Sequence, residues 1–258
     1  MVPIPAPEVM AWLSAAFWPF LRMTGVFLTA PILGSRSVPV LQRVLMSALF
    51  AGCLGAWDGP WPPLPEGIVA IVYAGILQIS FGAGLGLVGR VIVSTIGAAG
   101  EIAGAAIGSN FARTSGLDQS SEPPVLYNIL NMTGMLVYLG AGGMFWTLLA
   151  VSRSFHTSPA GVPTQLSLQQ LADYIGVVLE SGTILALPAL AAAFALNVSI
   201  GLANALSPNL NIFSVGFPIL FLGGIWVIGS SIFFIEPTVA NLMLEGAHQL
   251  AGLIGDGG

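Results

Sequence analysis

Residues 67–108 read GIVAIVYAGILQISFGAGLGLVGRVIVSTIGAAGEIAGAAIG, and this stretch decides the fold class. Its only charged side chains are Arg90 and Glu101. About 20 consecutive apolar residues are enough for a helix to cross a bilayer. The stretch therefore predicts a membrane-type helix over about Gly67–Val93 that merges into a tract of small residues ending at Gly108.

Glycines recur along this stretch at helical spacing. In an apolar helix, small residues four apart let two backbones approach closely. We therefore expect this helix to contact other helices along much of its length. The glycines concerned are Gly82, Gly84, Gly86, Gly89, Gly97, Gly100, Gly104 and Gly108.

The composition of the whole chain agrees with a membrane environment. Of the 258 residues, 55% are hydrophobic and 7% are charged, whereas a soluble domain has about 25% charged residues. A net charge of -5 without a basic cluster argues against binding to nucleic acid, which requires the neutralisation of phosphates. We predict an all-α, polytopic integral membrane protein that forms a single membrane-embedded domain over residues 1–258.

Six further segments complete the predicted architecture, which has about six long apolar helices in bent hairpins and a C-terminal amphipathic helix. A proline-rich turn at Asp58–Glu66 separates the second helix from the third. Loops are predicted at 109–124 and 152–164, and a long helical pattern over Leu166–Leu206 is interrupted at Pro188. The other predicted helices cover about Glu8–Leu33, Val38–Trp57, Val125–Val151, Ile212–Ile235 and Pro237–Ile254.

No pattern in the sequence indicates catalysis, a metal or a cofactor. Gly84-Leu-Gly-Leu-Val-Gly89 matches the dinucleotide-binding fingerprint, but it lies within an apolar run and does not follow a strand. His156 and His248 have no second histidine or cysteine at ligand spacing. We therefore expect a protein that is not an enzyme and needs no cofactor.

Charged side chains inside the apolar runs require an explanation, because each costs at least about 2.5 kcal/mol at the centre of a bilayer. Arg22 and Glu101 lie well inside such runs, whereas Arg90 and Glu180 are nearer the ends, from which a side chain can reach the interface. Acidic residues are few and scattered along the chain. This distribution favours structural pairing over a path for protons or ions.

The only long polar stretch runs from Ser109 to Pro124. Irregular polar backbone beside membrane-type helices is tolerated only in water or where it lines a cavity in protein. From the residues alone, a surface loop is favoured over a segment that closes a pore.

Motifs along nearly the whole chain resemble the FliR family, the flagellar biosynthetic proteins with relatives in type III secretion injectisomes. The most specific of these motifs is Ser207–Pro218, which leads into the predicted helix Ile212–Ile235. In order, the motifs are Phe17-Trp-Pro-Phe-Leu-Arg22, Thr29-Ala-Pro-Ile-Leu-Gly-Ser-Arg-Ser-Val-Pro39 with Arg43, Gln78, Gly100-Glu-Ile-Ala-Gly104 with Gly108, Ser154-Phe-His-Thr-Ser-Pro-Ala-Gly161, Pro188, and Ser207-Pro-Asn-Leu-Asn-Ile-Phe-Ser-Val-Gly-Phe-Pro218.

The resemblance implies a subunit of the flagellar export gate in the bacterial inner membrane. Its partners would be FliP-type and FliQ-type gate subunits and an FlhB-type switch protein, and its cargo would be unfolded rod, hook and filament subunits. The resemblance also reverses the interpretation of the polar loop 109–124, because by position the family's pore plug corresponds to roughly Gly108–Glu122. The implied plug residues are Gly108, Ser109, Asn110, Phe111 and Arg113.

A second set of residues would hold helices in register within the assembly. These residues are Arg22, Pro31, Pro39, Arg43, Gln78, Gly100, Glu101, Gly104, Pro208, Asn211, Phe213, Gly216, Phe217 and Pro218. The form Gly216-Phe-Pro218 favours the flagellar branch over the injectisome. Two alternatives stay open, namely the equivalent subunit of an injectisome and a stand-alone secondary transporter, which would contain an internal repeat.

Overall fold

The computed structural model describes residues 6–35, 37–57, 61–106, 125–158, 168–206 and 235–254, together with single positions between 218 and 233. No strand occurs in these ranges, and the all-α prediction is confirmed. The helices are α1 (Ala6–Thr29), α2 (Val40–Trp57), α3 (Ile68–Ala106), α4 (Val125–Gly140), α5 (Gly143–Thr157), α6 (Leu168–Leu206) and α7 (Ile235–Ile254).

Two of these helices are long and apolar enough to cross a membrane. They are α3 and the part of α6 from Gly176 to Ser199, and a third span results if α4 and α5 count as one broken span. The apolar part of α2 is shorter. The membrane class is therefore confirmed, whereas the predicted number of six long helices is not, since the run Ile212–Ile235 lies mostly outside the described residues.

The prediction of one continuous helix over Val125–Val151 is wrong, because the structure has two helices there. Gly142 has φ 77° and ψ 21°, a left-handed conformation that glycine adopts without steric cost and that ends helical hydrogen bonding. The chain therefore forms two helices, α4 and α5. The loop expected from residue 152 is also wrong, because α5 continues to Thr157.

The predicted interruption at Pro188 is wrong as well, because α6 passes through this residue as one helix of 39 residues. Proline removes one N–H donor and crowds the preceding turn. In membrane-type helices, neighbouring groups and small local adjustments satisfy the carbonyl that loses its partner. A proline in an apolar helix therefore marks a helix end less reliably than it does in a soluble protein.

The chain divides into two compact units. Because α3, α6 and α7 each contribute residues to both, the division does not decide whether residues 1–258 fold as a single domain, which stays a prediction. Unit 1 consists of Met1–Val91, Gly142–Tyr174 and Met243–Gly258, and unit 2 consists of Ile92–Ala141 and Ile175–Leu242.

Aromatic side chains form the core of unit 1. Trp18 and Phe27 of α1 are buried together with Phe81 of α3 and Phe155 of α5, and full burial of such a side chain stabilises the fold by about 1.5–3 kcal/mol. The indole Nε1 of Trp18 also donates to the carbonyl oxygen of Pro62, at 2.9 Å. The proline-rich turn is thereby joined to α1.

Buried glycines bring α3 and α4 close together in unit 2. Gly100 of α3 lies so close to α4 that an added Cβ would stand 2.6 Å from the carbonyl oxygen of Leu126. Gly134 of α4 lies equally close to the side chain of Ile96, with 2.7 Å to Cδ1. The contact of α3 with α4 is thus a close approach of two backbones, as the glycine spacing predicts.

Candidate functional site

Arg22 is completely buried in unit 1, and its guanidinium group donates to acceptors on α3 and at the C-terminal end of α5. Its Nε donates to Gln78 Oε1 at 2.8 Å, and its Nη1 donates to Ser154 Oγ at 2.7 Å. Its Nη2 donates to the carbonyl oxygen of Ser158 at 2.8 Å. Arg22 therefore joins α1 to α3 and to the C-terminal end of α5.

Two aromatic rings enclose the same guanidinium group. Its central carbon lies 3.9 Å from the ring centroid of Phe155 and 4.8 Å from that of Phe81. A cation over an aromatic face is stabilised by about 2 kcal/mol or more when water is excluded. We call Arg22, Gln78, Phe81, Ser154 and Phe155 the arginine cluster.

Gln78 has one polar atom that the cluster does not use. Its Nε2 is buried without a hydrogen-bond partner among the described residues. Rotating the amide by half a turn would not help, because Nε2 would then face the Nε donor of Arg22. The donation from Arg22 therefore fixes the orientation of the Gln78 amide.

Arg43 holds the turn between α1 and α2. Its Nη2 donates to the carbonyl oxygens of Ser35 and Val38, the latter at 2.9 Å. The carbonyl oxygen of Pro39 accepts the N–H groups of Gln42 and Arg43 and so starts α2. Pro31 lies half-buried directly after α1. These contacts place Pro39 and Arg43 in one local structure.

The predicted residues on α3 divide between its two sides. Gly100 and Gly104 are buried, the first of them against α4. Glu101 is exposed. The sequence placed this carboxylate among packed glycines, and the structure turns it away from them.

The remaining predicted residues lie largely outside the described part of the chain. This is true of all five plug residues, Gly108, Ser109, Asn110, Phe111 and Arg113, and of Pro208, Asn211, Phe213, Gly216 and Phe217. Pro218 is described and exposed. Their roles stay predictions.

Ser154 and Phe155 belong to the sequence motif Ser154–Gly161, which does not by itself assign them to a site. The available signal is their helical spacing, because Val151, Ser154, Phe155 and Ser158 follow one another at intervals of three, one and three residues and so share one side of a helix. Val151, Ser154 and Phe155 are buried. A serine on a buried helix face is a candidate hydrogen-bond partner for a buried arginine.

The described residues contain no group of three or more histidine, cysteine or acidic side chains that could hold a metal ion. Among the described residues, the arginine cluster contains one cationic group, Arg22, and no nucleophile paired with a base. Its chemistry is that of a rigid connection between helices.

The sequence is similar to known proteins along nearly its whole length. The family described as "Bacterial export proteins, family 1" matches residues 13–246. The flagellar biosynthetic protein FliR of Escherichia coli (strain K12) is 29% identical over 99% of this chain and 98% of its own. FliR of Pectobacterium carotovorum subsp. carotovorum is 30% identical over 96% and 95%, and FliR of Bacillus subtilis (strain 168) is 23% identical over 92% and 94%.

Proposed function

Because the chain belongs to the FliR family of bacterial export proteins, we propose that it is a subunit of the flagellar protein-export gate in the bacterial inner membrane. The observation that carries the proposal is the extent of the similarity, because the family pattern matches residues 13–246 of this chain and the chain covers nearly the whole length of the FliR relatives. The two apolar spans support a location in a membrane.

In this proposal the chain assembles with FliP-type and FliQ-type gate subunits and is contacted by an FlhB-type switch protein. The helix surfaces support assembly, since large apolar side chains are exposed on several helices, among them Leu45 of α2, Ile76 of α3 and Phe194 of α6. Apolar surface of this extent needs lipid or protein to cover it.

The proposed mechanism is gated passage of unfolded rod, hook and filament subunits, without bond chemistry by this chain. Residues 109–124 are the proposed plug, and the family resemblance supports this assignment. Ser109, Asn110, Phe111 and Arg113 are the residues to test first. The arginine cluster and the glycine contacts would give the surrounding helices the fixed geometry that a gate requires.

Deletion of the gene in a flagellated host tests the proposal. We expect the loss of external filaments and of hook and filament subunits in the medium, with recovery when the gene is returned on a plasmid. Normal filaments in the deletion strain would contradict the proposal.

A second experiment tests the plug separately. A short deletion within Ser109–Ser121 should make the membrane permeable to ions, measured as loss of membrane potential. The full-length chain at the same expression level is the control. An ion-tight membrane with the shortened chain present would contradict the plug assignment while leaving the export role intact.

A further inference from the structure

The segment Trp61–Pro65, which lies before α3 in unit 1, contains the prolines Pro62, Pro63 and Pro65. Proline has a nearly fixed φ angle and no N–H group to donate. The segment is therefore stiff, and its backbone offers few donors through which neighbouring helices could hold it. We call Trp61–Pro65 the strap.

Two indole N–H groups hold the strap to the helices. Trp18 Nε1 of α1 donates to the carbonyl oxygen of Pro62 at 2.9 Å. Trp61 Nε1 donates to the carbonyl oxygen of Gly55 in α2 at 3.1 Å. The part of the chain that the structure describes gives the strap no further hydrogen bond. Contacts of this kind can break and form again without the unfolding of a helix.

The strap joins α3 through a glycine that can act as a hinge. Gly67 has φ 89°, a left-handed conformation that glycine adopts without steric cost. A Cβ added at Gly67 would meet nothing within 4 Å, so the backbone conformation and not packing requires glycine here. Hinges are a few residues at the ends of elements that absorb a change in φ and ψ. Gly67 has this position between a stiff segment and a helix.

The strap covers one end of the arginine cluster. The Trp61 ring meets the Phe155 ring edge-on, with 5.0 Å between centroids and 83° between planes. On the Phe155 ring lies the guanidinium carbon of Arg22, 3.9 Å from the centroid. A cation over an aromatic ring is stabilised more strongly when water is excluded. Trp61 therefore supports the ring against which Arg22 packs.

The last turn of α5 depends on the same arginine. Arg22 donates to Ser154 Oγ and to the carbonyl oxygen of Ser158, one helical turn apart. The N–H group of Ser158 donates to the carbonyl oxygen of Ser154 at 3.0 Å and closes this turn. A change at Phe155 thus reaches the end of α5 through Arg22.

We propose that the strap opens and closes about Gly67, and that the closed strap holds the last turn of α5 in place through Phe155 and Arg22. In the open position water reaches the guanidinium group, competes for its hydrogen bonds and loosens this turn. The inference goes beyond the export role and does not depend on it.

Hydrogen exchange of the purified full-length chain in detergent, measured by mass spectrometry, tests the inference. Trp61→Leu removes one hydrogen bond and the ring contact, so amides over Arg153–Ser158 should exchange about tenfold or more faster. Amides over Met23–Phe27 in the core of α1 should stay within about twofold, because opening of the strap is local. Trp146→Leu, the matched control, removes an exposed indole from α5 itself and should change either rate by less than about twofold.

A second pair of variants tests the hinge. Gly67→Ala should speed exchange over Arg153–Ser158 by about fivefold or more, because a Cβ disfavours the left-handed conformation of the closed strap. Gly84→Ala is its control, since the added Cβ also meets nothing within 4 Å but lies inside a helix. Its exchange over Arg153–Ser158 should stay within about twofold. This pair decides if the Trp61→Leu chain does not accumulate.

Two outcomes would overturn the inference. Equal acceleration over Met23–Phe27 and Arg153–Ser158 would show that the strap is a fixed part of the core. Unchanged exchange over Arg153–Ser158 in both Trp61→Leu and Gly67→Ala would show that the strap does not hold α5. Either result leaves the proposed export role intact, whereas normal filaments after gene deletion would contradict that role and leave the strap unaffected.

Discussion

Arg22 in unit 1 and Glu180 in unit 2 are both charged residues within apolar helices, and the chain treats them in opposite ways. Arg22 is buried, and Gln78, Ser154 and the carbonyl oxygen of Ser158 accept its hydrogen bonds. Glu180 is exposed, with no partner among the described residues. The difference indicates that polar side chains directed inward find hydrogen-bond partners within the chain and stabilise its fold. Polar side chains directed outward depend on lipid, water or another protein for their partners.

The same contrast exists between two glycines of α3. Gly82 faces the backbone of α1, where an added Cβ would lie 2.8 Å from the carbonyl carbon of Arg22. Gly84 is exposed, and an added Cβ would meet nothing within 4 Å. Gly82 and Gly84, which are two residues apart in the sequence, therefore lie on different sides of one helix.

The largest expected effect comes from this glycine pair. Gly82→Ala should destabilise the purified protein by about 3 kcal/mol or more, because the new methyl group meets backbone that cannot move aside. Gly84→Ala is the matched control and should stabilise the helix by up to about 1 kcal/mol. Denaturant titration in detergent measures both. Equal changes in unfolding free energy for the two substitutions would contradict the assignment of Gly82 to the buried side and Gly84 to the exposed side of α3.

The arginine cluster gives the next largest effect. Arg22→Met keeps an apolar stem but leaves buried acceptors on Gln78 and Ser154, and the loss should be about 2–3 kcal/mol, since an unsatisfied buried acceptor costs about 1–3 kcal/mol. Arg153→Met removes an exposed arginine of the same unit and should change the unfolding free energy by less than about 0.5 kcal/mol. If Arg153→Met were as harmful as Arg22→Met, burial would not be the cause.

Substitutions of Gln78 sharpen the account of the cluster. Gln78→Glu should be tolerated and should stabilise the fold by about 1 kcal/mol, because Nε2 makes no bond that could be lost and a carboxylate accepts more strongly from Arg22. Gln78→Leu should instead cost about 1–2 kcal/mol, because Arg22 Nε then loses its acceptor. The midpoint of thermal unfolding in detergent distinguishes the two. A large loss of stability with Gln78→Glu would contradict the described hydrogen bond.

Glu101 should show the smallest effect on the chain itself. Since its side chain is exposed, Glu101→Gln should change the unfolding free energy by less than about 0.5 kcal/mol. The same substitution should reduce the recovery of companion subunits with this chain, measured by quantitative mass spectrometry of the purified complex. If Glu101→Gln lowered the unfolding free energy but left the recovery of companion subunits unchanged, the carboxylate of Glu101 would act within the chain and not at an interface.

Periodicity and hydropathy predict most of the architecture. The bounds of α2 and α3 agree with the sequence because Ser, Pro and Gly clusters stand at their boundaries, among them the proline-rich turn before Ile68. The end of the first helix was predicted at about Leu33, whereas α1 ends at Thr29. The break at Gly142 was missed because a glycine in an apolar run is equally compatible with a continuous helix.

The candidate site could be predicted only in part, for a related reason. Arg22 and Gln78 stand out as polar residues in apolar runs, and both belong to the arginine cluster. Glu101 stands out in the same way but lies on the exposed side of α3. Helices that are apolar all round carry little information about which side faces the core. The direction of a charged side chain therefore has to come from the fold.

The mass of the complex extracted from membranes tests the central claim most directly, namely that the outward sides of these helices are covered by other export subunits. Native mass spectrometry after extraction in mild detergent should find this 26.6 kDa chain bound to FliP-type and FliQ-type proteins. A species of only 26.6 kDa, from cells that export filament subunits normally, would contradict the account.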